Sequence, residues 1–374
     1  MRITKLETFH VRPRWLFLKV HTDAGIVGLG EPILESRAKT VEAAVHELGR
    51  VIVGQDPRRV EHLYQVMTKS TFYRVGPILT SAISGVEQAL WDILGKHLNV
   101  PVHQLLGGAV RDKIRVYPHV RVDPAHSDFA AELKRIMTTP GEYTAYKFGP
   151  NLASRFIESQ AVLEEAAARV AAIRELLGPR IDLALDFHGR LSPANSRRFA
   201  RMVEPYFPMF IEEPVLPGDT RALRDIATST PIPVATGERL FTRAQFQDVI
   251  EQEAVAVVQP DLSHCGGIFE GRKIAAMAET RNIAVAPHCP LGPICFAASL
   301  QLAACTPNFL IQEMVTRGED YLKTPFEVRD GYIPVPTGPG LGIELDEEKL
   351  KAGIWEGTWD SPAWHLEDGS RAEW

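Results

Sequence analysis

Ile181-Asp182-Leu183-Ala184-Leu185-Asp186 is a short apolar run that closes on an acid, and the same phrase recurs twice further along the chain. Pro208-Met209-Phe210-Ile211 leads to Glu212, and Ile232-Pro233-Val234-Ala235-Thr236-Gly237 leads to Glu238. The acids stand 26 residues apart, since 212−186 and 238−212 are both 26. One strand, one helix and two loops fill about that length in a parallel α/β repeat, whose crossover alone needs at least ~10–12 residues. Three acids at the same ends of three neighbouring strands converge on one point. Three hard oxygen ligands at one point suit Mg²⁺ or a similar divalent ion. A lone acid at a strand end usually caps a helix; equal spacing sets these three apart.

Working outward, eight apolar, β-rich runs can be counted from about residue 113. They are Ile114–Val120, Tyr143–Gly149, Ile181–Phe187, Pro208–Ile211, Ile232–Thr236, Ala254–Gln259, Ile283–Pro287 and Phe309–Gln312. Helical segments separate most of them. The clearest runs from Ser159 to Leu177, with Leu163, Ala166, Val170, Ile173 and Leu177 on one stripe and Gly178-Pro179 ending it. Eight strands alternating with helices predict a closed (β/α) barrel, with its site at the C-terminal strand ends. An open doubly wound sheet is the alternative from pattern alone. It would not readily gather the third, fourth, fifth and seventh strand ends around one cavity.

The first hundred residues follow a different rule. Lys5–Val11, Leu16–Thr22 and Gly25–Glu31 read as antiparallel strands, the last two joined at Asp23-Ala24-Gly25. Helices follow, one capped at Thr40 and a stronger one opening at Ser81 with Ile83, Val86, Leu90 and Ile93 aligned. The expected division is a small α+β domain over 1–112, the barrel over 113–335, and a separate segment over 336–374. That segment holds Trp355, Trp359, Trp364 and Trp374, four of the six tryptophans. Such aromatics imply docking, against the N-terminal domain or a neighbouring subunit.

Composition narrows the class. Of the 374 residues 45% are hydrophobic and 24% charged, as in ordinary soluble globular chains. A net charge of −6 without a basic run disfavours nucleic acid as a partner, and none is expected. The opening residues lack a signal-peptide core, and no apolar stretch reaches the ~18 residues of a membrane span. Cys265, Cys289, Cys295 and Cys305 lack metal-like spacing and read as reduced thiols of a cytoplasmic protein.

Further candidates sit at the strand ends. His188 follows Asp186 by two, so an extended backbone would turn both to one side; the alternative is a loop histidine bonded to main chain. Asp261 ends the sixth run and His288 the seventh. An Asp on one imidazole nitrogen orients the ring, fixes its tautomer and raises its basicity. Glu313 ends the eighth run and Lys147 the second. Both are candidate substrate contacts or an ordinary barrel-mouth ion pair. Glu213 is a candidate partner of the acid before it.

In order along the chain, these segments resemble the enolase superfamily, in its mandelate racemase-like branch. The likeness rests on Pro13-Arg-Trp-Leu-Phe-Leu-Lys19, Gly28-Leu-Gly-Glu-Pro32, Ala89-Leu-Trp-Asp-Ile-Leu-Gly-Lys96 and Leu105-Leu-Gly-Gly108 in the first part. In the barrel it rests on Asp186-Phe-His-Gly-Arg190, Ile211-Glu-Glu-Pro214, Gly237-Glu-Arg239, Gln259-Pro-Asp-Leu-Ser-His264 and Ala286-Pro-His-Cys-Pro-Leu-Gly-Pro293. The tail Trp364-His-Leu-Glu-Asp-Gly-Ser370 with Ala372-Glu-Trp374 matches too. Within the branch the likeness is to the D-galactonate dehydratases.

The resemblance implies a modified (β/α)8-type barrel, of the (β/α)7β kind, under an α+β capping domain made of the N-terminal residues and the returning C-terminal segment. It implies one Mg²⁺, or Mn²⁺, on Asp186, Glu212 and Glu238. Enolase-type sites set a Lys or His base beside such an ion. Here the resemblance implies His288, assisted by Asp261, as the base that removes the proton α to a carboxylate. His188 becomes the acid that releases the 3-hydroxyl, and Glu313 a hydrogen-bonding partner of the enediolate. Arg14, Trp15 and Tyr73 are implied contacts to substrate from the capping domain. The product is a 2-keto-3-deoxy sugar acid. The assembly implied is a homo-oligomer, octamers being frequent in the family.

Two departures qualify the likeness. Racemases of the branch carry Lys-X-Lys after the second strand, whereas this chain reads Lys147-Phe148-Gly149. A two-base racemase is therefore not expected. The galactonate group has Asn where Gly149 stands, and the segments His119-Val-Arg-Val-Asp123 and Pro150-Asn-Leu-Ala153 differ from it. Those loops are placed to read the distal hydroxyls of the substrate. The competing expectations are another lyase or epimerase of the superfamily, and a metal-binding homologue without catalysis.

Overall fold

The computed structural model describes residues 1–120, 131, 143–150 and 154–374. Two sheets organise them. β1 (Ile3–Val11), β2 (Trp15–Thr22) and β3 (Val27–Gly30) form an antiparallel sheet in that order. The helix Pro77–Leu98 packs along β3. The two approach so closely that only glycine fits: a Cβ on Gly30 would strike the main chain of Gly85, and one on Gly85 that of Pro32. This helix begins at Pro77, behind Gly76, rather than at Ser81. Proline has no N–H to leave unpaired in a first turn, and the Ser81 hydroxyl instead bonds the Pro77 carbonyl at 2.6 Å. Likewise the first helix starts at Ala38, ahead of Thr40.

The second sheet is the barrel. Its parallel strands are β4 (Lys113–Val120), β5 (Ala145–Phe148), β6 (Asp182–Asp186), β7 (Phe210–Glu212), β8 (Val234–Thr236), β9 (Val257–Val258), β10 (Ala284–Val285) and β11 (Gln312–Met314). Neighbours in sequence are neighbours in space from β4 to β10, and β11 pairs with β4. A parallel bridge between Val285 and Phe309 joins β10 to the segment entering β11. Hydrogen bonding thus runs round the ring. Tyr117, Ala145, Ala184, Phe210, Ala235, Val257, Ala286 and Ile311 fill the interior as a cluster of their own, one from each strand or its flank. Large and small residues mix there because the inside of a small barrel is packed solid.

The main core lies outside this ring, between strands and helices, and continues into the N-terminal sheet. The Ser159 hydroxyl caps the helix Gln160–Leu177, and Gly178 ends it at φ +70°. The last strand, β12 (Tyr332–Pro334), pairs antiparallel with β4. Hydrogen-bonded strands are shorter than the apolar runs that announce them: Ala254–Gln259 contributes only Val257–Val258. Beyond the strand ends the chain is still buried, so hydrophobicity outlasts pairing. No helix among the described residues is long and apolar enough to cross a membrane. All four cysteines are free and buried.

Candidate active site

β6 and β7 run in register with Asp186 opposite Glu212, so parallel pairing itself sets these two acids side by side. Glu238 follows β8 by way of Gly237, which has φ +149° and lies too close to the Gln259 main chain for any side chain. The turn is braced by Glu213. Its Oε1 accepts the Gly237 N–H at 3.1 Å and the Thr236 hydroxyl, and its Oε2 accepts from the Arg239 guanidinium at 2.6 Å. Glu213 therefore supports the segment that carries Glu238.

Lys147 stands among the acids. Its buried Nζ lies 2.8 Å from Glu212 Oε1, 2.9 Å from Glu313 Oε1 and 3.7 Å from Asp186 Oδ2. Burial works against its charge, but the three carboxylates outweigh burial and hold the ammonium well above its usual range. Asp186, although buried, is drawn down to about 2, with Lys147 the chief attraction. Burial pushes Glu212 up to about 7 against the pull of Lys147. Burial also raises Glu238, which lies further from that cation.

His288 and Asp261 meet across β9 and β10. His288 Nδ1 is 2.8 Å from Asp261 Oδ2, and Asp261 Oδ1 accepts the Ser263 N–H at 2.7 Å. The other ring nitrogen, Nε2, lies 3.2 Å from Glu238 Oε2 and 3.9 Å from Glu313 Oε2. Burial disfavours the charged ring, yet Glu238, Glu313 and Asp261 together raise its proton affinity well above normal. Glu313 Oε2 also accepts the Cys289 N–H at 2.9 Å, which ties β11 to the His288 loop.

The donor atoms of Glu212, Glu238 and His288 all lie within 4.8 Å of one another. Asp186 adjoins them through Lys147 rather than as a fourth member of that group. Among the described residues, Glu212 Oε2 is buried without a hydrogen-bond partner, and so is Glu238 Oε2 despite its neighbour His288. Buried carboxylate oxygens without donors suit a hard divalent cation, so the residues fit one. Glu212 and Glu238 each offer such an oxygen.

His188 reaches its place differently from the sequence argument. β6 ends at Asp186, and His188 has φ +56°, so the backbone is left-handed rather than extended there. Its N–H donates to Asp186 Oδ1 at 2.8 Å. Burial lowers the ring to about 4, Asp186 opposing and Arg190 and Arg239 assisting.

The remaining candidates are scattered. Arg14 pairs with Glu35 at 2.7 Å and donates to the Pro290 carbonyl at 3.0 Å. Trp15 is buried against Phe17 and Tyr321. Tyr73 is 83% exposed beside Phe72. Of the two altered segments, residues 121–123 and 151–153 lie outside the described residues. His119, at the near end of that first segment, is paired in register with Lys147 and lies 3.5 Å from Glu313. Its position at the end of the first run was the available signal.

The same fold appears in known proteins. Residues 5–107 match the N-terminal domain of the mandelate racemase / muconate lactonizing enzymes, and residues 128–349 match the enolase C-terminal domain-like family. The chain belongs to the mandelate racemase/muconate lactonizing enzyme family. It is 46% identical to a D-galactonate dehydratase of Variovorax paradoxus and 47% to one of Klebsiella pneumoniae, each covering the whole of both chains. Such likeness over the full length makes this member of the family a hydro-lyase. Among solved structures, an enolase from Agrobacterium radiobacter, bound to sodium and L-malate, superposes with a TM-score of 0.91 at 30% identity over all of both chains. A family member from Sulfitobacter gives 0.89 at 33% identity, covering 97% of this chain and 99% of the other.

Proposed function

We propose that this enzyme dehydrates an acid sugar, D-galactonate or a closely related aldonate, to the 2-keto-3-deoxy acid. The observation that carries the reading is the Asp261–His288 pair standing beside the acid cluster, with His288 Nε2 3.2 Å from Glu238.

A proton α to a carboxylate is barely acidic, and removing it leaves a second negative charge. Asp186, Glu212 and Glu238 would hold a divalent cation, magnesium or manganese, whose charge would stabilise the product of that step. His288 takes the proton at Nε2, because Asp261 holds Nδ1. Lys147 keeps a positive charge among the acids, and Glu313 fixes its place.

Hydroxide is a poor leaving group. His188 gives its proton to the departing 3-hydroxyl, which leaves as water while the electron pair of the broken C–H bond forms the new double bond. The anionic substrate favours the charged form of His188 against the burial that lowers it. The resulting enol tautomerises to the 2-keto acid.

The reading carries with it a small-molecule partner, a cytoplasmic setting and a homo-oligomeric assembly. Purified protein with Mg²⁺ or Mn²⁺, offered a panel of aldonic and aldaric acids, should form a 2-keto-3-deoxy acid from D-galactonate or a near relative. Binding of the cation without a 2-keto product from any acid would overturn the reading.

A further inference from the structure

His188 Nδ1 lies 2.7 Å from the main-chain oxygen of Trp374. That oxygen can only accept, so Nδ1 carries the hydrogen and donates it. The Trp374 ring meets the imidazole edge-on, with centroids 5.0 Å apart and planes at 78°. One residue thus supplies both the acceptor and the wall for the same ring.

Trp374 is held in turn. Its ring lies 5.7 Å from that of Trp359, and the Arg14 guanidinium covers Trp359 at 4.7 Å. Ser361 N–H donates to the Ser36 hydroxyl at 2.7 Å, which fastens the tail to the N-terminal part of the chain. Past that point the tail turns back on itself, with Ala372 N–H donating to the Trp364 carbonyl at 3.0 Å. Arg190, two residues beyond His188, covers Trp364 at 4.2 Å. The tail therefore spans from the N-terminal part to the loop after β6, and its last contact is the histidine.

We infer that Trp374 is a positioning residue for His188: its main-chain oxygen holds the hydrogen on Nδ1, its ring fixes the imidazole plane, and Nε2 is left as the nitrogen that carries the transferred proton to the substrate's leaving hydroxyl. Neutral histidine otherwise exchanges between two tautomers, and a ring without a wall turns about its side-chain bonds. The inference rests on His188 acting as the acid in the proposed dehydration. It adds the source of the ring's orientation, which comes from the far end of the chain.

The test uses the full-length protein with its metal, compared with a variant lacking Trp374 and with Trp374→Phe. Loss of Trp374 should lower kcat for the 2-keto product by about 10- to 100-fold, as for other partners that orient a catalytic group, with KM little changed. Exchange of the α-proton for deuterium, which depends on His288, should persist, and Trp374→Phe should recover most of the elimination. ¹⁵N NMR of histidine-labelled protein, with His188 assigned from His188→Asn, should show Nδ1 protonated in the parent and a mixture of tautomers without Trp374. Unchanged elimination, or loss of exchange and elimination together, would overturn the inference. So would identical His188 resonances in parent and variant. If the parent forms no 2-keto acid, the functional reading fails, and the resonances still decide whether Trp374 sets the tautomer.

Discussion

Asp261 and His288, at the ends of adjacent barrel strands, share a hydrogen bond of 2.8 Å between Oδ2 and Nδ1. The bond fixes which nitrogen of His288 can act as a base. His288→Asn should abolish exchange of the substrate α-proton in deuterated water. Asp261→Asn leaves the ring without its anionic partner and should slow exchange by about 10²- to 10⁴-fold. Exchange at the parent rate in His288→Asn would show that another group is the base.

His188 has a separate task. His188→Asn should block formation of the 2-keto acid while exchange at the α-carbon continues, because His288 keeps Asp261. Proton NMR of the substrate in deuterated water reads both events in one sample. A variant that loses both together would remove the division of labour between the histidines.

The oxygens of Glu212 and Glu238 that lack donors are the reason to expect a cation. Chelation should abolish turnover, and Mg²⁺ or Mn²⁺ should restore it. Glu238→Gln should weaken binding of the cation, measured by calorimetry. Equal affinity in parent and Glu238→Gln would place the cation elsewhere.

Lys147 sets one positive charge against Glu212, Glu313 and Asp186 in the interior. Lys147→Met leaves buried acids without that partner, and breaking a buried pair from one side costs about 3–5 kcal/mol. The loss should be largest in chelator and smaller with Mg²⁺ present, as read by thermal denaturation. An unchanged melting temperature in chelator would contradict the charge balance described for the site.

Glu87 bonds the first turn of the barrel helix Ile268–Glu279, accepting from the Ile268 and Phe269 N–H groups at 2.7 and 2.9 Å. Burial pushes its carboxyl up to about 8 from the ordinary 4.5. The folded state then holds the proton more tightly than the unfolded one. Stability from that proton is complete below 4.5 and is lost as the pH rises towards 8. Glu87→Gln cannot ionise, so its stability should fall less over that window, by at most about 1.4 kcal/mol per pH unit. Thermal melts across the window compare the two slopes, and equal slopes would contradict the raised carboxyl.

The recurrence of apolar run and acid made the barrel and its cluster legible, because both follow from strand period and register. Strand limits were not, since burial continues past the last paired residue, as it does from Val258 to Asp261. The direction of His188 was hidden because a left-handed turn, not an extended end, carries it. Nothing in Ala145-Tyr146-Lys147-Phe148 marks the lysine as the centre of a charge cluster, since its partner Glu212 is 65 residues away. The Trp374 contact joins positions 186 residues apart. The four tail tryptophans suggested docking against the N-terminal domain or a neighbouring subunit, but not the contact with His188. Arg14 and Trp15 are adjacent in sequence, yet the first bonds the His288 loop and the second is core.

The central claim is a dehydration begun by His288 and completed by His188. The most direct measurement follows D-galactonate by proton NMR in deuterated water with the metal-loaded parent and with His188→Asn. The account predicts a 2-keto-3-deoxy product from the parent, and from the variant deuterium at the α-carbon with no such product. α-Deuteration by the parent with no loss of water would contradict it, and would make the enzyme an epimerase or exchange catalyst instead.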